Sequence, residues 1–378
     1  MSKLRWHLGQ LDALRGIAAL GVVAAHSVYL FPASHLTIPL FAGQRGVQLF
    51  FIVSSFTLFL SFENRRDEEH PTRNFFLRRF FRLAPLYYIL LIFTRFTYPE
   101  LSGSWSTTAI CALFLQGLTP TLVVHGVQGG WTLACEAFSY ALLPIAFRYI
   151  RSLTAAVKVF IATAVICGIG SFLLAHMYPS YHEFFEFLWF PCELPVFCLG
   201  VVCYWIKREL IHDENKPVSL LILAAVVLGG WAMLPFDDGG LYATSLLAGA
   251  LLIAVLLHPW RMLVNPCTIF LGRISYSVYL LHGFALHLVA QPLLEMLIKH
   301  HVLSGRPIQG DLLRVVFTLI VTIPAATLTW WLIEESGIRV GRRLISRFEP
   351  APVRKAATTI PLPAAAIGAQ SNSPDAQF

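Results

Sequence analysis

Charge is what this sequence has least of. Asp, Glu, Lys and Arg make up 13% of its 378 residues, about half the share usual in a soluble domain. With 56% hydrophobic residues and a mean hydropathy of +0.66, there is more apolar surface than an aqueous fold can bury. The solvent for most of this chain is therefore lipid. The sequence also lacks an internal repeat, and no polar stretch long enough for a soluble domain precedes the tail after Phe348. Apolar runs recur along nearly the whole chain, which favours one bundle over the two or three domains its length suggests. Cysteine pairs at metal or redox spacing are missing too. Cys111, Cys135, Cys167, Cys192, Cys198, Cys203 and Cys267 form no CxxC, and most fall inside apolar runs. Neither structural disulfides nor zinc are expected. No small-residue cleavage site follows the first apolar run, which itself carries Arg15 and His26. It reads as a retained helix, not a signal peptide.

What is present is a series of apolar segments of bilayer length, at 11–31, 46–62, 76–97, 131–150, 155–177, 188–206, 217–235, 240–258, 274–292 and 312–333. The expected fold is all-α, a polytopic bundle of about ten spans. Pro85, Pro144, Pro195 and Pro324 fall inside spans, where neighbouring helices can satisfy the freed carbonyls. The net charge of +7 could suggest a nucleic-acid partner, but it sits in short segments between apolar runs. Those segments alternate. Lys3, Arg5, Arg65, Arg66, Arg73, Arg78, Arg79, Arg148, Arg151, Lys158, Lys207, Arg208, Lys216, Arg261, Arg273, Arg339, Arg342, Arg343 and Arg347 fall on one side. Arg45, Arg95, Lys299, Arg306 and Arg314 fall on or near the other. The positive-inside rule then places both termini in the cytoplasm and leaves no role for nucleic acid; a bacterial inner membrane is the expected location. A full crossing at the apolar stretch 106–119 would invert every later loop, so that stretch reads as re-entrant or peripheral. Residues 1–348 form the membrane domain. Residues 349–378, rich in Ala, Pro, Ser and Thr, read as a disordered cytoplasmic tail.

Ionisable residues inside apolar spans are costly and default to function. Arg15 and His26 are eleven positions apart in the first span, on nearly the same helix face and roughly 16 Å apart in rise. Asp12, one turn before Arg15, is its nearest candidate partner. A structural Arg–Asp pair with a packed histidine remains the alternative. Arg78, Arg79 and Arg82 gather near the predicted start of the third span, where a helix N-terminus and guanidinium forks favour phosphate oxygens. Positive-inside anchoring explains Arg78 equally well and the deeper Arg82 less well. Glu136 enters the fourth span from the outer side, at a depth similar to that of His26. It could orient the imidazole as the Asp of a triad does, or simply be hydrogen-bonded for packing. His282 in the ninth span is as readily structural as catalytic. Glu193 in the sixth span could line a polar cavity, and Glu334 and Glu335 read as interfacial.

In combination these segments resemble the acyltransferase-3 family over about residues 8–345. Arg15 with His26 resembles its Arg-x10-His motif and Arg79-Phe80-Phe81-Arg82 its Arg-x-x-Arg motif. Gly46 to Phe56 is similar to its second-helix signature. Trp131-Thr132-Leu133 with Glu136 and Tyr140 resembles its Trp-Ser-Leu segment, and Ile274 to His282 its late signature. Gln48 stands where the family usually has Asp, Ser55 where it has Gly, Ser139 before Tyr140 where Phe is frequent, and Ser336 where Pro is common. These departures make Gln48 a poor candidate for an acid or base role and leave Arg15, His26, Arg79 and Arg82 in place.

The resemblance implies acyl transfer from cytosolic acyl-CoA, acetyl-CoA in the first instance, to a hydroxyl of an extracytoplasmic or lipid-linked carbohydrate, with no metal. Arg79, Arg82 and Arg78, helped by Arg15, would hold the coenzyme A phosphates. His26, supported by Glu136, would act as general base or acyl acceptor. Glu193, His282, Tyr140, Trp131 and Asp12 would support substrate or site. The SGNH hydrolase-like domain often fused in this family is not seen in the sequence, so a separate SGNH-type partner is an expectation. A non-enzymatic transporter or flippase of lipid-linked glycans is the rival reading, but the paired broken helices it requires are not found. The motifs also do not fit the membrane-bound O-acyltransferase class.

Overall fold

The computed structural model describes residues 8–28, 40, 42–233, 240–300 and 307–348. The tail 349–378 and the basic residues Lys3, Arg5 and Arg306 lie outside the described residues. All regular structure among the described residues is helical: α1 (Leu8–Ser27), α2 (Gly46–Glu63), α3 (Pro71–Thr97), α4 (Pro99–Ser102), α5 (Trp105–Ala112), α6 (Gly130–Tyr149), α7 (Leu153–Met177) and α8 (Phe190–Glu209). The order continues with α9 (Lys216–Met233), α10 (Leu241–Leu257), α11 (Pro266–Arg273), α12 (Ser275–Ala285), α13 (Gln291–Lys299), α14 (Pro307–Thr329) and α15 (Glu335–Phe348). Single π-helical turns at Leu286–Ala290 and Trp330–Glu334 join α12 to α13 and α14 to α15 into longer rods.

Seven helical stretches among the described residues are long and apolar enough to cross a membrane. The chain is thus a polytopic membrane protein. The stretch Ala42–Glu63 is 72% buried, whereas Leu153–Met177 and Lys216–Met233 are each 6% buried. So α2 is the axis of the bundle, and α7 and α9 form its lipid-facing periphery. The segment expected to be re-entrant or peripheral holds the eight-residue α5 and a 3₁₀ turn at Gln116–Leu118, too short to span.

Lipid supplies no hydrophobic drive between helices, so close packing rests on small residues. A Cβ on Gly16 would lie 2.3 Å from the Thr268 carbonyl oxygen, and one on Gly272 would lie 1.8 Å from the Asp12 carbonyl oxygen. Only glycine lets α1 and α11 approach this closely. The same device handles a proline. Pro85 has no N–H for the Phe81 carbonyl, and Gly337 of α15 packs there, its missing Cβ 2.3 Å from that oxygen.

One expectation needs correction. Helix α3 starts at Pro71, a favoured first helical residue, and not near 76. Arg78 and Arg79 therefore lie in its third turn and Arg82 in its fourth. The field of a helix end has faded by that depth, so the helix-dipole argument for an anion site lapses.

Candidate functional site

A cavity of about 650 Å³, its open mouth included, lies between α1, α2, α3, α6 and α12. Its polar lining is Arg15, Ser54, Arg79, Arg82, Glu136, Tyr140 and the hydroxyl-bearing Thr132, Ser275, Tyr276 and Tyr279. Residues from five helices, from Arg15 near the start of the chain to Tyr279, thus converge on one chamber.

Each guanidinium has a distinct setting. Arg15 donates to the Thr57 hydroxyl at 3.1 Å and faces Asp12 at 3.6 Å. Arg79 lies over the rings of Phe75 and Tyr140, 5.7 and 6.0 Å from their centroids. Its Nε is buried with no hydrogen-bond partner among the described residues. A buried charged donor left unmade is expensive, and it points to an acceptor that comes from outside the chain. Arg82 completes the group. Glu136 is the carboxylate among the cavity-lining residues: Ser54 donates to its Oε1 at 2.9 Å and the Tyr140 hydroxyl to its Oε2 at 2.9 Å. The cavity lining thus holds three cations and one carboxylate, with Asp12 reaching Arg15 from outside the lining, and the remaining positive charge suits an anion.

The placement of Glu136 departs from the sequence reading. Ser54 lies one turn from Thr57 on α2, and Thr57 bonds Arg15. Glu136 is therefore at the level of Arg15 and not of His26, and its oxygens are taken by Ser54 and Tyr140. The partner of His26 is His282, with Nδ1 of His26 2.8 Å from Nε2 of His282. Neither imidazole lines the arginine cavity. Tyr279 stands between: its ring forms part of the cavity wall and lies 5.7 Å from the His282 ring, and its hydroxyl donates to the Gly129 carbonyl at 3.3 Å.

Other expected residues fall elsewhere. Arg78 forms a two-pronged pair with Glu68, 3.0 Å at each contact, outside the cavity. Trp131 is not in the cavity lining and packs edge-on against Phe51 with centroids 6.3 Å apart. Glu193 is fully buried and accepts from Gln48 Nε2 at 3.3 Å, away from the arginines. Glu334, expected at the interface, is buried and accepts from the Ser277 hydroxyl.

Phe50, Ser54, Tyr276 and Tyr279 are cavity residues that residue-type reasoning missed. Ser54 carried a signal, since it precedes Thr57 by one turn on the helix facing Arg15. Tyr279 precedes His282 by three and shares its helix face. Beyond the cavity, Arg314 donates to the Ser27 carbonyl at 2.8 Å and pairs with Asp311 at 3.4 Å. It thereby caps the last turn of α1, next to His26.

Comparison with known proteins gives a consistent picture. The family profile described as an acyltransferase domain matches residues 8–331. The chain is 28% identical over 313 residues to acyltransferase MdmB of Streptomyces mycarofaciens, covering 73% of this chain and 78% of that protein. It is 26% identical over 289 residues to a protein of Acidianus two-tailed virus named as a candidate acetyltransferase, covering 72% and 82%. A Staphylococcus aureus protein named as a candidate O-acetyltransferase is 26% identical over 320 residues, covering 74% of this chain and 50% of that one. No solved structure matches.

Proposed function

The chain belongs to the acyltransferase-3 family of membrane acyltransferases, and we propose that it moves an acyl group, acetyl in the first instance, from acyl-CoA to a carbohydrate hydroxyl across the membrane. The single observation that carries this reading is the cavity in which Arg15, Arg79 and Arg82 gather around Glu136 while Arg79 keeps an unmade donor. Phosphate oxygens of coenzyme A are strong acceptors for guanidinium forks. The pantetheine arm is thin enough to run from there past Phe50 and Tyr279. With the arginine-rich side in the cytosol, as charge bias favours, the donor enters from inside and the acceptor from outside. The setting would be a bacterial inner membrane.

In the reaction His26 is the general base. Its Nε2 takes the proton of the acceptor hydroxyl as the oxygen attacks the thioester carbonyl. The C–S bond then breaks, the acyl group stays on the acceptor oxygen, and the proton passes to the departing thiolate. Glu136, held among the guanidiniums, serves as their counter-ion and donor-site organiser. It has no part in the proton transfer. Base catalysis contributes about 10²- to 10⁴-fold, and positioning supplies much of the rest. Trp131, Glu193 and Asp12 support the bundle around the site. An SGNH-type partner for the acceptor side stays within the proposal.

The test is coenzyme A release from acetyl-CoA by membranes that contain the protein and their own glycans, compared with membranes carrying His26→Ala. Release that depends on His26, with a matching O-acetyl mass gained by an envelope glycan, supports the proposal. Glycan export without coenzyme A release would make the chain a flippase instead.

A further inference from the structure

His26 and His282 lie 256 positions apart and meet head-on. Their ring planes differ by 10° and their centroids are 5.0 Å apart, with N···N at 2.8 Å. The centroid distance is the N···N distance plus one ring radius at each end. The rings therefore meet edge to edge, with the shared hydrogen bond in their common plane. One proton occupies that bond, and a third group decides which ring supplies it. Nδ1 of His282 lies against the main-chain carbonyl of Tyr279, three residues earlier on the same helix. A carbonyl can only accept, so His282 carries a proton on Nδ1. His282 is 1% exposed, and a charged imidazole so deep in an apolar bundle is strongly disfavoured. In the neutral ring Nε2 is then the lone pair. His26 must donate through Nδ1, which puts its own lone pair on Nε2. That nitrogen points roughly away from His282 and has no hydrogen bond to another described residue.

We infer that His282 is the positioning residue of the catalytic base: it fixes His26 in the Nδ1–H tautomer and aims the Nε2 lone pair at the acceptor hydroxyl. It performs with a neutral imidazole the task a buried carboxylate performs in a Ser-His-Asp triad. The same second-partner logic orients histidines that bind metals. This inference rests on the reading of His26 as base. Two further contacts fix the histidine's helix end. Ser27 donates to the Val23 carbonyl at 2.7 Å, and Arg314 donates to the Ser27 carbonyl at 2.8 Å.

The test uses full-length protein in membranes that hold the native glycan acceptor, with radiolabelled acetyl-CoA as probe, and reads kcat and the KM for acetyl-CoA. His282→Phe keeps the ring volume and removes both nitrogens. His282→Gln keeps one donor and one acceptor. His282→Phe is expected to lower kcat about 10²-fold, within the range of base catalysis, with the KM for acetyl-CoA within about twofold of wild type because donor contacts are untouched. His282→Gln is expected to recover at least a tenth of wild-type kcat. Near-wild-type kcat in His282→Phe, a loss appearing mainly in KM, or a folded His282→Gln no better than Phe each overturns the inference. If His282→Phe does not fold, His282→Gln decides alone: folded and inactive overturns the inference, folded with at least a tenth of wild-type kcat upholds it. Activity in His26→Ala would instead remove the base reading itself. An inactive His26→Ala beside a fully active His282→Phe removes only the role given to His282.

Discussion

Replacing Arg79 with Met should separate binding from stability in opposite directions. In the wild type Arg79 is half-buried beside two other guanidiniums, Arg15 and Arg82, which act on it as like charges. Its Nε has no partner among the described residues. An unmade hydrogen bond on a buried charge costs about 1–3 kcal/mol or more, and the substitution removes that cost. What the substitution loses in the free protein is the contact with the Phe75 and Tyr140 rings at 5.7 and 6.0 Å, on the order of 0.5–2 kcal/mol, and the attraction of Glu136, which relief of the repulsion from Arg15 and Arg82 offsets. The two nearly cancel, so the melting temperature in detergent should stay within about 3 °C of wild type or rise. Acyl-CoA binding should suffer instead. A hydrogen bond to a charged group is worth about 1.5–3 kcal/mol, which is about a 10- to 150-fold rise in the KM for acetyl-CoA. Coenzyme A release against acetyl-CoA concentration, beside a melting curve of the same preparation, gives both numbers. A lower melting temperature with unchanged KM would show that Arg79 is structural, and the donor-site reasoning would fall with it.

Three other outcomes are expected. Glu136→Gln keeps one acceptor for Ser54 or Tyr140 but leaves three guanidiniums without their cavity carboxylate. It should lower thermal stability by about 1–3 kcal/mol and change kcat less than tenfold, whereas a thousandfold fall in kcat would give Glu136 a chemical role. Arg314→Met strands the buried Asp311 and should destabilise by about 3–5 kcal/mol in detergent unfolding. Adding Asp311→Leu should restore most of that, and failure to do so would deny the pairing. Burial pushes the Cys111 thiol up to about 11, so near pH 8 only about 10⁻³ of it is the reactive thiolate, while Cys267 is exposed. Maleimide at pH 8 should mark Cys267 and spare Cys111, whose labelling should climb tenfold per pH unit towards 11. An impermeant reagent should reach Cys267 only after the cells are opened, and labelling of intact cells would reverse the proposed orientation.

The helices were legible because lipid demands long apolar runs with internally satisfied backbones. The local punctuation was less so. The predicted span begins at Phe76, but the helix starts five residues earlier at Pro71, where residues 71–74 carry no hydrophobic signal. The arginine pair and Arg15 were legible as a group because buried cations in an apolar chain have few explanations. Glu136 was recognised as important and given the wrong neighbour. Counting residues from the membrane surface ignores tilt, and it ignores that a long Arg side chain reaches back toward its helix N-terminus. The His26–His282 contact had no local signal at all. It joins helices at opposite ends of the chain, and one sequence without its fold cannot pair them. Glu334 was missed for a related reason. Its position after the last apolar run suggested an interface, but the π turn at Trp330–Glu334 carries the helix on into α15 and keeps the carboxylate inside, against Ser277.

The separation of Glu136 from His26 makes physical sense in a low-dielectric bundle. A carboxylate set beside the imidazole would have to be desolvated there, at a cost of several kcal/mol per ion that a single neutral partner cannot repay. Among Arg15, Arg79 and Arg82 the same carboxylate is compensated by charge and by two hydroxyl donors. The chain thus keeps Glu136 with the cavity arginines at the level of Arg15 and places two imidazoles about 16 Å of helix rise further along α1, where the buried ion pair is Arg314 with Asp311. In the proposed mechanism the cavity cations would hold a polyanionic donor, and the imidazole pair would move the proton without a carboxylate bonded to either ring. Tyr279 ties the two regions, since its ring is cavity wall and its carbonyl is the acceptor that sets the His282 proton. A shift of α12 that opens the cavity would move that carbonyl as well.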